Sequence, residues 1–185
     1  DTGPQNLRTL IGRANSLSIG AAADSGIKTV ADLKGRKFAV AKSNTSIYAK
    51  TTPILAFAGL TWDDLDLVEY PSYGATVKAL IEGKADAGGF APSSASLREL
   101  EATRGINWMA LPPENKDGWD RMKKVVPFVE PFQETVGAGL SDANPVWMLG
   151  YRYPMVTVRA ETSADETYAL TKAIAETFDM YKDVN

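Results

Sequence analysis

Ser43-Asn44-Thr45-Ser46 places three hydroxyls and an amide between an apolar run, Lys37-Phe38-Ala39-Val40-Ala41, and a stretch in which Ile47, Ile54, Leu55 and Ala58 recur at helical spacing. All four are residue types that cap helix N-termini. A helix starting among them offers unpaired N–H groups and the positive end of its dipole, which together attract a carboxylate or phosphate, and the side chains add donors. The same spacing suits a plainer arrangement, in which one residue caps the helix and the others face water. The Gly-x-x-x-x-Gly-Lys pattern of a phosphate loop is absent.

Two further clusters carry binding chemistry. In Tyr151-Arg152-Tyr153, arginine can clamp a carboxylate in a bidentate fashion and tyrosine supplies an apolar wall with a hydroxyl; strand-end packing plus a surface ion pair is the alternative. In Gly88-Gly89-Phe90-Ala91-Pro92 the glycines let backbone approach a ligand closely, or simply form a tight strand exit. Asp63, Asp64, Asp66 and Glu69 lack the spacing and glycine of a calcium loop and read as a solvated helix start, so no metal site is expected. Trp62, Trp108, Trp119 and Trp147 are scattered and read as core or interface, not as a cofactor box.

Composition narrows the chemistry further. The 185 residues include no cysteine and no histidine. Disulfides, Cys/His zinc sites, cysteine nucleophiles and Ser-His-Asp triads are therefore excluded. With 20 basic and 23 acidic side chains the net charge is −3, which gives no basic footprint for nucleic acid. No window approaches the ~18 apolar residues of a membrane span, and Asp1-Thr2-Gly3-Pro4 has neither a basic nor an apolar leader region. No cofactor is expected.

The elements that must position these residues alternate in type. Strands are expected at 37–41, 66–70, 85–90 and 106–111, with helices after Ser46, over 75–82 and around Leu97 and Leu100, the last two ended by Gly83 and Gly105. Pro53 inside the first helix predicts a kink, or a restart with Thr52 as cap. Thr29 and Thr61, each followed by an acid three residues later, predict short capped turns, not catalytic sites. Beyond the loop at 112–118 come a short helix at 119–126, a proline-punctuated stretch at 127–139, and a strand at 153–160. A terminal helix then opens on the capping box Ser163-Ala164-Asp165-Glu166, with Leu170, Ile174, Phe178 and Tyr181 on one stripe that should pack on something. Such alternation predicts an α/β fold with a mainly parallel sheet flanked by helices.

Three blocks, Ser25 to Val40, Ile54 to Thr61 and Ala79 to Ala87, resemble in order and spacing the TAXI family of TRAP-transporter substrate-binding proteins, within the type II periplasmic binding protein superfamily. Members of that family carry further residues ahead of this point, and a glycine-rich loop where this sequence reads Lys42-Ser43-Asn44-Thr45-Ser46. The resemblance therefore implies one complete lobe and part of another: residues 1–24 a first-lobe strand and crossing segment, 25–126 an α/β second lobe, 127–185 the return crossing and a C-terminal helix. It also implies a periplasmic receptor, not an enzyme, that closes over a small anionic organic solute and delivers it to membrane permease subunits. Ser43, Asn44, Thr45 and Ser46 would hold the anionic group; Phe90, Ala91 and Pro92 would line the cleft; Tyr151 and Tyr153 would come from the crossing segment, with Arg152 as counter-charge. An incomplete pair of lobes would also favour self-association. Two other readings fit the same fold: the effector-binding domain of a cytosolic transcription regulator, and an enzyme working through Lys, Asp or Tyr.

Overall fold

The computed structural model describes residues 5–181, so residues 1–4 and 182–185 of the expected terminal segments lie outside the described residues. The strands are β1 (Leu7–Ala22), β2 (Lys37–Val40), β3 (Asp66–Glu69), β4 (Ala87–Phe90), β5 (Ile106–Trp108), β6 (Glu130–Glu134) and β7 (Val146–Arg159). The helices are α1 (Thr45–Phe57), α2 (Tyr73–Ile81), α3 (Leu97–Arg104), α4 (Lys116–Val125), α5 (Ala164–Glu176) and α6 (Phe178–Tyr181). Sheet order is β3-β2-β4-β1-β7-β6, with β5 also pairing with β1. The chain divides into two compact units, Ser16–Tyr151 and the remainder, Asp1–Asn15 with Arg152–Asn185.

Within Ser16–Tyr151, β2 pairs in parallel with both β3 and β4. β1 lies antiparallel between β4 and β5, through Ser18↔Phe90 and Gly20↔Trp108. The sheet is thus mixed: β1 enters from outside the βαβ series and runs against it. Side chains alternate along β2 as a strand requires. Phe38 and Val40 join a core with Leu17, Ile19, Ile54, Leu55, Trp119 and Met122. Ala39 between them joins a second core with Val77, Leu80, Phe90, Leu97 and Leu100. α1 and α4 therefore cover one face and α2 and α3 the other, a three-layer α/β/α arrangement. Leu17, Ile19 and Leu149 sit in the first core, so this unit takes in strand residues on both sides of the 25–126 segment.

Helix punctuation follows local chemistry. Gly83 and Gly105, at φ +69° and +68°, end α2 and α3. Both threonine turns form as capping boxes, over Val30–Leu33 and Trp62–Asp64. Pro53 neither restarts nor divides α1, which is one helix from Thr45 to Phe57. The hydroxyls of Thr51 and Thr52 donate back to the carbonyls of Ile47 and Tyr48, at 2.9 and 3.0 Å, in the turn where proline interrupts the ladder. Pro53, Ile54, Leu55 and Phe57 are all buried, and that burial holds the helix together across the proline.

In the second unit, the Ala160 N–H donates to the Asn6 carbonyl at 3.0 Å. α5 opens on the expected box, with Ser163 Oγ donating to Glu166 Oε2 at 2.7 Å and accepting from the Glu166 N–H at 3.2 Å. No residue of α5 is buried. Ile174, Phe178 and Tyr181 instead line an open groove with Ile11, Pro154 and Val156.

Candidate functional site

The C-terminal end of β2 leads directly into the start of α1, and β4 lies in parallel beside it. In open α/β sheets, ligands bind at such strand ends. A small pocket of about 20 Å³ sits there, lined by residues of β2, by Asn44, by Ile47, Tyr48 and Thr51 of α1, and by Trp62, Tyr73, Thr76 and Gly89.

Asn44 is the N-cap: its Oδ1 accepts from the Ile47 N–H at 3.3 Å. Ser43 Oγ donates to the Pro71 carbonyl at 3.2 Å, tying this loop to the one that leads into α2. Ser43, Thr45 and Ser46 are exposed. Ser46 is engaged by Lys50, whose ammonium donates to the Ser46 carbonyl at 3.4 Å and to its hydroxyl. The other wall is aromatic. Tyr48 stacks on Trp62 at 4.4 Å with planes 5° apart, Phe38 meets Trp62 edge-on at 5.8 Å, and the indole N–H donates to Thr52 Oγ1 at 3.0 Å. Tyr73 stands edge-on to Phe90. Its hydroxyl is buried beside Ser94 and the backbone of Ala91, and burial pushes the phenol above its ordinary pKa.

The sequence candidates separate. Ser43 to Ser46 gather at the start of α1 beside the pocket. Phe90 does not line a cleft: its side chain is 0% exposed and belongs to the second core, because the alternation of β4 turns it inward. Pro92 is buried, and its carbonyl accepts from the Ala138 N–H at 3.2 Å; Ala91 is half-buried. Gly88 and Gly89 make room for protein, since a β-carbon would meet the Phe90 ring at 2.6 Å or Thr51 Oγ1 at 2.1 Å. Tyr151 falls in the larger unit, under the Lys50 ammonium at 4.5 Å from the ring centroid. Arg152 and Tyr153 belong to the other unit and are exposed. Sequence reasoning missed Tyr48, Trp62, Tyr73 and Lys50. Positions 44, 47, 48 and 51 do fall on one helical face, a periodicity from which the aromatic wall at Tyr48 was readable.

No group of three or more Asp or Glu residues among the described residues could hold a metal. No described helix is long and apolar enough to cross a membrane.

The mixed sheet, the helices on both faces and the pocket at the strand ends define a three-layer α/β fold. The chain belongs to the NMT1-like family, whose match covers residues 2–185. No curated protein matches the sequence. Among solved structures, a protein of Bordetella bronchiseptica RB50 is similar at 20% identity over 97% of this chain and 50% of that one, with a TM-score of 0.52. The putative periplasmic sulfonate-binding protein SsuA of a sulfonate ABC transporter from Methylobacillus flagellatus KT is 17% identical over 80% of this chain and 36% of that one, at TM-score 0.46. The periplasmic aliphatic sulphonate binding protein SsuA from Escherichia coli is 18% identical over 96% of this chain and 65% of that one, at TM-score 0.44. At these identities the likeness concerns the fold alone, and the chain spans between 36% and 65% of the three structures' lengths.

Proposed function

We propose that this chain is the solute-contacting part of a periplasmic solute-binding protein of the TAXI kind. It captures a small anionic organic solute, a dicarboxylate, 2-oxo acid or amino acid, for the membrane permease of a TRAP-type transporter. Residues Ser16–Tyr151 act as one lobe, and the remaining strands and helix belong to the other. One observation carries the reading: the pocket opens where the start of α1, capped by Asn44, meets the ends of β2 and β4, with an aromatic wall at Tyr48 and Trp62. Peptide N–H groups at a helix start suit a carboxylate, and the stacked rings suit a short carbon skeleton. Membership of the NMT1-like family and the fold agree with this use. Binding energy, not bond making, drives such a receptor.

A thermal-shift panel of dicarboxylates, 2-oxo acids and amino acids on the full-length protein tests the reading. A ligand at a hundredfold excess over its Kd adds about 2.7 kcal/mol of stability. The absence of any shift across the anionic candidates would refute an anion receptor.

A further inference from the structure

Lys50 differs from every other described lysine. The rest are exposed. Lys34, Lys42, Lys78, Lys84 and Lys172 each face a carboxylate, at 3.5, 3.2, 3.7, 2.6 and 3.7 Å. Lys50 is half-buried, and no Asp or Glu among the described residues lies within ion-pair distance of it. Its partners are all neutral: the carbonyl and hydroxyl of Ser46, one turn earlier on α1, and the face of the Tyr151 ring. Neutral acceptors and a π-face satisfy the ammonium's geometry while leaving its charge uncompensated. Taking a cation partly out of water without a counter-ion is unfavourable. Burial accordingly holds the Lys50 amine below its ordinary pKa.

The position is also right for a role in binding. Ser46 precedes Ile47 and Lys50 precedes Thr51 along α1, and both Ile47 and Thr51 line the pocket. Tyr151 packs against the same core as Ile47 and Tyr48. Lys50, Ser46 and Tyr151 thus form one cluster on the face of α1 next to the pocket-lining face.

We infer that Lys50 is the specificity-determining cation of the solute site: it pairs with a carboxylate of the solute, which displaces the Ser46 contacts, while Tyr151 keeps the lysine side chain in place. This deepens the reading proposed above and rests on it. The sequence suggested a counter-charge on Arg152; the structure offers one on α1 itself, four residues after Ser46. The solute class that follows is one with a carboxylate beyond any group held by the helix start, such as a dicarboxylate or an acidic amino acid.

The experiment is calorimetric titration of the full-length protein with L-glutamate, 2-oxoglutarate and succinate, comparing wild type with Lys50→Met and Lys50→Arg. Charge-assisted hydrogen bonds of this kind set the expected loss. Lys50→Met should weaken the probe that wild type binds best by roughly 10- to 100-fold. Without solute its Tm should be unchanged or higher, since an uncompensated charge is removed; Lys50→Arg should retain most of the affinity. A purely structural lysine would give the reverse pattern, a lower Tm at constant affinity. Wild-type affinity in a folded Lys50→Met protein overturns this inference and leaves the solute-binding reading standing. Binding of none of the three probes by wild type overturns the inference together with the anionic-solute reading. Should Lys50→Met fail to fold, Lys50→Gln provides the same comparison with a polar side chain.

Discussion

Gly89 on β4 faces Thr51 on α1 so closely that a β-carbon at residue 89 would lie 2.1 Å from Thr51 Oγ1. That hydroxyl donates to the Ile47 carbonyl at 2.9 Å, so turning it away breaks a hydrogen bond. The missing side chain is what lets the helix that begins at Asn44 lie directly on the sheet. Gly89→Ala should therefore displace α1 and destabilise the protein by about 1–3 kcal/mol, the usual range for overpacking. Thr51→Ala removes the clashing oxygen and leaves its β-carbon 3.3 Å from the new one. In a denaturant double-mutant cycle, the Gly89→Ala/Thr51→Ala protein should be more stable than the sum of the single changes predicts. Strict additivity would refute the contact as the cause.

Acid sensitivity should be concentrated at the helix and turn starts. Asp32 is held below the ordinary carboxylate pKa by the N–H groups of Lys28 and Thr29, at 3.1 and 2.8 Å, and Asp64 by the N–H of Thr61, at 2.9 Å. Glu166 is lowered in the same direction, first by the Ser163 hydroxyl and then by its N–H. A depressed folded-state pKa contributes stability that is fully present above the unfolded-state value and is lost as pH falls through the folded-state value. Stability should therefore drop on acidification below the normal carboxylate range. Between about pH 6 and 8 it should be flat, since the sequence has neither histidine nor cysteine to titrate there. Tm measured from neutral to acid pH checks both parts, and Asp32→Asn/Asp64→Asn should have a shallower acid limb than wild type.

These features were legible from sequence to different degrees, for physical reasons. β2, β3, β4, α2 and α3 could be placed because apolar periodicity and terminal glycines are local signals. Both threonine turns were readable for the same reason, as each box spans only four residues. A kink or a restart was expected at Pro53 because proline's local cost is fixed, whereas the burial of Ile54, Leu55 and Phe57 that keeps α1 from restarting depends on α4 and the sheet. Phe90 was misplaced because the facing of a four-residue strand depends on its register with β1 and β2, which no local pattern carries. That one of Ser43 to Ser46 caps α1 was legible, but not that it is Asn44. Lys50 was not, since its distinction is the absence of a carboxylate around it among the described residues, and only the folded chain shows which acids are near.

Asn44 permits a test that separates capping from solute binding. Aspartate caps a helix about as well as asparagine, and its charge interacts favourably with the N-terminal end of the dipole by about 0.3–1 kcal/mol. Asn44→Asp should thus leave the solute-free Tm unchanged or slightly raised, because an oxygen can still accept from the Ile47 N–H. An anionic solute at the start of α1 would meet that new negative charge beside its own. Its affinity should fall about tenfold or more, and less at high salt, where exposed charges are screened. Asn44→Ala should behave differently, losing about 0.5–2 kcal/mol of stability with the cap while adding no repulsion. Paired measurements of Tm and solute affinity on the two variants decide the matter. If Asn44→Asp binds succinate, glutamate or 2-oxoglutarate as wild type does, the carboxylate is not held at the N-terminus of α1.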